Sequence, residues 1–512
     1  MPHVQPRWRR AAGRLRTAGA SALSSGTAVG VVVALLVLAR SAVFVFWEQA
    51  HFDSNQAVIG LMAKHLAELR AFPVFMYGQN YMLAVEAWLA APVFLVAGVS
   101  VTALKLPLLA INLAVALLLF WLLVKEAGLR PIFAGLATLF VVLPSPGTAA
   151  KLLEASGGIV EPLLYIPLLW LTRRRPAWCG LVLGLGFVHR EFTIYGFVAL
   201  LMLDAGRGRL FTRTDLRRMW PLVRTAAEVW LVVQVARQYG AAMGPGTTPA
   251  DLPRRAQDIV ELANRFCVDW AAVPGGFFDI ARVHWPLLFG TAARPLRDFM
   301  IESNVTQGVA GAGLLLGVAM ALAAARIVVR VLRERGWRSD YDFCAYLVLV
   351  GALSVTGYVV SRCGVITLAR MRYEMLSILG AVGLAGWYLG VERSRGLRAA
   401  WIALVLSWVA VGAASHTRLW TEYLTHPPAG GKRQIARHME ARGFSYGIAD
   451  YATAYPVTFL TDEQIIMASS TRVRIQLYQD AVAAHRGQAV RVGRRPCAGG
   501  LEVMPGVHFC PP

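Results

Sequence analysis

A carboxylate, Asp53, stands just beyond the first long apolar run, in Phe52-Asp53-Ser54-Asn55-Gln56-Ala57-Val58. An aromatic and polar stretch follows at Tyr77-Gly78-Gln79-Asn80-Tyr81. Keeping an ionisable side chain where an apolar helix meets water is costly, and such positions mark function by default. Further ionisable residues fall at the same predicted boundary: Glu86, Glu154, Glu161, His189, Arg190, Glu191, Arg362, Arg370 and Arg372. They come from separate loops, and half-buried charges require partners. Two kinds of chemistry suit these side chains. A carboxylate can remove the proton of a hydroxyl as it attacks a carbon. A guanidinium, planar and always charged, can grip a phosphate and stabilise charge on a departing oxygen. Asp53 is the expected base, and Arg370 and Arg372 are the expected clamp.

The remaining candidates carry two readings each. Glu161 opens an apolar run and offers a second carboxylate to sugar hydroxyls or a metal; equally, it is a charge favoured by a helix N-terminus. His189-Arg190-Glu191 is either a phosphate contact or a polar turn between two short helices. Tyr77, Gln79 and Tyr81 suit stacking on and hydrogen bonding to a sugar, although interfacial aromatics also serve as membrane anchors. His51 and His65 are not spaced with Asp53 as a metal triad. No cofactor is therefore required, and a divalent cation is left open.

Such groups need a membrane bundle to position them. Hydrophobic residues make up 56% of the 512 positions and charged residues only 16%. Several apolar runs reach the ~17–25 residues that cross hydrocarbon as a helix. Spans are expected at 27–47, 105–124, 131–149, 159–172, 177–189, 192–203, 221–239, 308–330, 342–360, 373–390 and 399–414, about eleven in all. The net charge of +21 does not mark nucleic-acid binding, because the arginines cluster in short loops: Arg7 to Arg16, Arg173 to Arg175, Arg207 to Arg218, Arg326 to Arg338 and Arg393 to Arg398. This positive-inside pattern puts the basic N-terminus, 1–26, in the cytoplasm and the C-terminus outside. The apolar run after that head is too long for a signal peptide and reads as a retained helix.

Between the spans, residues 56–70 have the pattern of an amphipathic helix lying in the membrane interface. Residues 82–99, with Glu86 and Pro92, read as juxtamembrane or re-entrant. The membrane domain, 27–418, thus carries outer loops at 48–104 and 240–306. Residues 419–512 read as a small soluble α/β domain, with a helix at 430–442 and strands at 444–449 and 464–467. Cys497 and Cys510 lie within it and pair if it faces an oxidising compartment.

The composite Phe52-Asp53-Ser54-Asn55-Gln56-Ala57-Val58-Ile59-Gly60-Leu61-Met62-Ala63, with Phe72-Pro73, Tyr77-Gly78-Gln79 and Glu86-Ala87, resembles the GT-C membrane glycosyltransferases. The bacterial branch related to protein O-mannosyltransferases and lipid A aminoarabinose transferases gives the strongest likeness. Ser156-Gly157-Gly158-Ile159-Val160-Glu161, Arg372-Tyr373, and Gly447-Ile448-Ala449-Asp450-Tyr451 through Tyr455-Pro456 extend it over most of the chain. The resemblance implies an all-α polytopic bundle with a small C-terminal α/β periplasmic domain, in a bacterial inner membrane. It also implies an acceptor-activating Asp in the first outer loop, a polyprenyl-phosphate-linked sugar donor, and inversion at the anomeric carbon. The acceptor would be a glycan, lipid or protein. One departure matters: many relatives are acidic where this chain has Asn55-Gln56, and an amide cannot take up a proton at neutral pH. Asp53, two residues upstream, then has to face the same site.

Two other classes compete. A non-catalytic glycan- or lipid-binding relative is consistent with Asn55-Gln56. A polytopic lipid or sugar transporter would account for the helices, but the chain has no duplicated half and no paired broken helices.

Overall fold

The computed structural model describes residues 25–79, 82–208, 213–243, 268–334, 341–361 and 368–511. The basic head, Tyr81 and Arg362 lie outside the described residues. Helix α1, Gly26–Phe46, starts on Ser25, whose hydroxyl accepts from the Ala28 amide. Its Arg40 is buried mid-helix, donating to Asn112 Oδ1 at 2.6 Å and to the Val142 carbonyl at 3.2 Å. These donations meet the rule that a cation deep in a bundle needs partners. Helix α2, Ser54–Ala67, is capped by Asp53, and α3, Val85–Ala97, and α4, Val101–Lys125, follow.

The run expected as one span over 131–149 is divided into α5, Pro131–Val142, and α6, Pro146–Lys151. Pro144 and Pro146 cannot continue a helix from their N-terminal side, and Ser145 caps the new start. Next come α7, Glu161–Thr172; α8, Pro176–His189; α9, Thr193–Gly206; and α10, Arg213–Met243. Helix α11, Val273–Asp279, runs through a π-helical turn into α12, Trp285–Leu288. A two-residue pairing of β1, Arg294–Pro295, with β2, Thr306–Gln307, closes that loop. Helices α13, Ala312–Glu334; α14, Asp342–Ser361; α15, Ser377–Val391; and α16, Arg395–Thr425 complete the bundle. Helix α15 starts later than the expected 373 because Leu368–Glu374 forms a tighter 3-10 turn. Helix α16 runs through the expected domain boundary at 418.

The chain is a multi-pass membrane protein. Among the described residues, five helices are long and apolar enough to cross a bilayer: α1, α4, α13, α14 and α16. Helices α3, α5, α8, α9 and α15 are apolar but shorter.

The amphipathic interfacial helix expected at 56–70 is corrected by the structure. Helix α2 is buried nearly all round, including Lys64 and His65. It packs between α3 and α18, Tyr451–Leu460, of the C-terminal unit. The approach is so close that a Cβ on Gly60 would stand 2.5 Å from the Phe459 ring. The polar face is real, but it meets protein rather than lipid head groups.

The C-terminal unit begins with α17, Gly431–Glu440. Five strands follow: β3, Tyr446–Ala449; β4, Ile466–Ser469; β5, Val490–Gly493; β6, Leu501–Met504; and β7, Val507–Cys510. Their spatial order is β4-β3-β5-β7-β6, parallel across β4-β3-β5 and antiparallel beyond. The sheet packs on α17 and α18 around Met439, Val457, Met467, Val490 and Phe509. Cys497 and Cys510 form a disulfide, with Cα atoms 6.0 Å apart.

Glu463 fastens this unit to the bundle. It meets Lys64 Nζ at 3.1 Å, His65 Nε2 at 3.1 Å, the Tyr478 hydroxyl at 2.7 Å, and Arg70. Asp462 and Glu463 both adopt left-handed backbone (φ 52° and 63°), a conformation that persists only when surroundings over-determine it. Burial opposes ionisation of Glu463, but hydrogen bonds from His65, Arg70 and Tyr478 outweigh it and hold the carboxyl below the ordinary range. A depressed carboxylate contributes stability above its unfolded pKa of about 4.3 and loses it as pH falls. Glu463→Gln removes the carboxylate that Lys64, His65 and Arg70 share, while Lys64 keeps Asp462 and Arg70 keeps Glu68, and should destabilise the docked state by about 1–2 kcal/mol. In tryptophan-fluorescence melts, wild type should lose its advantage over the variant on acidification below about pH 4. Parallel curves would contradict this role.

Candidate functional site

Asp53 ends an extended segment and caps α2 through Oδ1, which accepts from the Gln56 amide at 3.0 Å. Its Oδ2 makes no hydrogen bond among the described residues. Two lysines hold the backbone leading into it. Lys105, from α4, donates to the carbonyls of Phe44 (3.0 Å) and His51. Lys432, from α17, donates to the carbonyl of Phe52 at 2.5 Å. Both ammonium groups lie within electrostatic reach of Asp53. Burial pushes the Lys432 ammonium down, against the opposing pull of Asp53, Glu302 and Asp450.

Arg372 belongs to the same cluster. Burial works against its charge, but the Tyr373 hydroxyl, Glu154 and Asp53 outweigh that and raise its pKa. Its Nη2 donates to the Tyr373 hydroxyl at 3.3 Å, while its Nε is buried without a partner. Tyr373 in turn packs edge-on to Phe192 and stacks with Tyr358. Glu154 is gripped by His51 Nε2 at 3.0 Å and Lys151 Nζ at 2.5 Å. Burial disfavours its charge, but these cations, led by Lys151, hold the carboxyl well below the ordinary range. The C-terminal unit adds Tyr451, whose hydroxyl donates to Asn55 Oδ1 at 2.7 Å, with Arg472 and Arg474 over its ring. Asp53, Arg372, Lys432 and Tyr451 are all half-buried, so the cluster is reached from outside.

A second cluster adjoins the first through Arg190, which lies within electrostatic reach of Arg372 and Glu86. Arg190 Nε donates to the Gly158 carbonyl at 3.2 Å. Glu86, Glu161 and His189 come together here, all three buried. The structure thus gathers Asp53 and Arg372 in one cluster, and Glu86, Glu161, His189 and Arg190 in the next.

Other expected residues sit elsewhere. Tyr77 is buried, and its hydroxyl meets His65 Nδ1 at 3.0 Å. Gln79 is half-buried in the turn after it, with its amide donating to the Met76 carbonyl at 2.9 Å. Gln56 is buried with its side-chain amide unpartnered, and Asn55 is the strict-register position that faces the cluster, through Tyr451. Arg370 is exposed. The Arg224 and Glu228 pair, at 3.1 Å, is exposed on α10.

Sequence reading missed Lys105, Lys432 and Tyr451. A lone lysine inside the apolar run of α4 was a visible signal for the first. The other two lie 380 and 396 positions from the residues they touch, and no local pattern marks them.

No family model and no curated protein matches the chain. Among solved structures, the oligosaccharyltransferase AglB from Archaeoglobus fulgidus, in complex with an inhibitory peptide and a dolichol-phosphate, matches with a TM-score of 0.50. Identity is 11%, over 91% of this chain and 69% of that one. The apo form of the Archaeoglobus fulgidus enzyme gives 0.46 at 12% identity, over 92% and 69%. ArnT from Cupriavidus metallidurans, bound to undecaprenyl phosphate, gives 0.40 at 13% identity, over 94% and 96%. At such identities the AglB likeness is one of fold alone.

Proposed function

We propose that the protein transfers a sugar from a polyprenyl-phosphate donor to an acceptor hydroxyl, with Asp53 as base. One observation carries the reading: Asp53 and Arg372, far apart in sequence, are both half-buried and lie within electrostatic reach of one another. In the reaction, Asp53 Oδ2 takes the acceptor proton as the acceptor oxygen bonds to the anomeric carbon from the face opposite the phosphate. The bond from that carbon to the phosphate oxygen breaks with its electron pair, giving inversion. Arg372, with Arg190 beside it, neutralises the polyprenyl phosphate that leaves. Lys432 sets a positive charge within electrostatic reach of Asp53 and holds the preceding backbone through the Phe52 carbonyl.

Three further features support it. An apolar cavity of about 710 Å³, lined among others by Phe277, Trp285, Leu316, Val355 and Leu384, lies between α13, α14 and α15. Ser377, close in sequence to Arg372, is on its wall, so an isoprenoid tail there would bring its phosphate towards the arginine. Secondly, Arg173 with Glu126, Arg207 with Asp342, and Arg326 with Glu392 join the arginine-rich loops in ion pairs. On the positive-inside rule those loops are cytoplasmic, and the cluster with its C-terminal unit is extracytoplasmic. Thirdly, the AglB match was solved in complex with an inhibitory peptide and a dolichol-phosphate, a lipid of the polyprenyl-phosphate class.

Asp53→Asn keeps a cap of equal quality for α2 but removes the base. Turnover should fall about 10²–10⁴-fold, far more than the lowered melting temperature from losing the charge beside Lys105 and Lys432 accounts for. In cells, the deletion strain should accumulate a polyprenyl-phosphate sugar by lipidomics, and the Asn variant should fail to clear it. Normal clearance by that variant would remove Asp53 from the mechanism. Arg372→Ala loses a charge-assisted contact and should weaken undecaprenyl phosphate binding about 10–100-fold, read by titration in nanodiscs. An unchanged affinity would place the phosphate elsewhere.

A further inference from the structure

We infer that Glu86, Glu161 and His189 bind a divalent transition-metal ion, zinc by the character of the ligand set, in a buried three-residue site. One ligand atom from each lies within 4.8 Å of the other two, and Glu86 Oε2 is 3.8 Å from His189 Nε2. Tetrahedral ligand atoms each about 2.1 Å from a common ion stand roughly 3.4 Å apart, so binding would draw the three together by up to about 1.4 Å. All three residues are at most 2% exposed.

The atoms facing the centre are the ones the protein leaves unused. Glu86 Oε1 accepts from the amides of Gly157 at 2.7 Å and Gly158 at 2.5 Å, while Oε2 has no hydrogen-bond partner. Both carboxylate oxygens of Glu161 are buried and unpartnered, and so is His189 Nε2. On the other side of the ring, His189 Nδ1 meets the Tyr165 hydroxyl at 2.9 Å. With Nδ1 donating to that oxygen, the lone pair of Nε2 points at the carboxylates, the arrangement that orients a metal-binding histidine. Buried polar atoms without partners are rare, and four converging on one point call for a cation.

Arg190 is the cation already close by, but it does not fill that role. Its Nε donates to the Gly158 carbonyl, and although it lies within electrostatic reach of Glu86 and Glu161 it hydrogen-bonds to neither. The N-terminal dipole of α7 favours charge on Glu161 but satisfies none of its lone pairs. Two carboxylates, a neutral imidazole and a divalent ion sum to zero charge, which suits full burial. An imidazole with two carboxylates matches zinc better than magnesium or calcium, which take oxygen and water shells.

The site would also position the arginine. Gly158 has φ +82°, and a Cβ there would lie 2.6 Å from Arg190 and 2.9 Å from His189 Nε2. An ion joining Glu86 to His189 therefore clamps the Gly157-Gly158 turn to the segment that carries Arg190. The binding site itself shares no residue with the Asp53 cluster and stands whether or not the transfer reading does.

The test uses the full chain, purified in detergent without chelators and analysed by inductively coupled plasma mass spectrometry. One zinc per chain is expected in wild type and in Asp53→Asn, and little in Glu161→Gln or His189→Gln. Tyr165→Phe should keep the fold and lower zinc affinity about 10–100-fold, the effect of losing a partner that orients a ligand. Zinc absorption spectra should show a light-atom shell at about 2.0–2.1 Å. Adding zinc chloride to stripped wild type should raise its melting temperature, with no rise for Glu161→Gln. Two results would overturn the inference. One is stoichiometric zinc that survives both ligand substitutions. The other is metal-free wild type, unresponsive to zinc, with an infrared band of a neutral carboxylic acid that Glu161→Gln removes, since a proton would then hold the carboxylates together.

Discussion

Two ammonium groups on adjacent carbonyls, one buried and one half-buried, organise this molecule. Lys105 reaches the carbonyl of His51 from within the bundle, and Lys432 reaches that of Phe52 from the C-terminal unit. Withdrawing two ammonium groups from water is expensive unless charge and hydrogen bonds compensate. Asp53 and Glu154 supply the charge for Lys105, and Asp53, Glu302 and Asp450 supply it for Lys432. The same interactions that make the lysines tolerable set the direction of the Asp53 carboxylate. Removing either half of the molecule leaves the other with an uncompensated charge.

The C-terminal unit is therefore part of the site. Arg433 forms a two-pronged pair with Glu48 at 3.0 Å, Arg474 reaches the Gly78 carbonyl at 2.7 Å, and Glu463 binds Lys64, His65 and Arg70. These contacts surround the first polar loop and turn α2 from a surface element into a core one. Its burial also explains why Asn55 is held by Tyr451 while Gln56 points into the packed interior.

Charge is divided between the two adjoining clusters. Around Asp53, cations from four segments meet two carboxylates, an environment suited to an anionic ligand. Around Glu161, two carboxylates and an imidazole converge with unpaired atoms, an environment suited to a cation. Arg190 stands between them, tied to the Gly158 carbonyl on one side and near Arg372 on the other. A change in either cluster should be felt in the other through that residue.

Much of the bundle was legible in the chain because lipid demands long apolar runs with satisfied backbones, and that demand is local. Every expected span contains a helix, although 131–149 breaks at its prolines and only five helices are long enough to cross alone. Asp53 and Arg372 were visible because charge at an apolar boundary stands out in any window. Helix α2 misled because periodicity records two unlike faces, not whether water or protein covers the polar one. Lys432 and Tyr451 left no trace near Asp53, since electrostatic pairing has no sequence period. Composition and periodicity alone determined a helical membrane bundle with charge at one end. Tertiary structure decided which of those charges meet, because a buried ion takes whatever partner the fold brings within a few ångströms, however distant along the chain.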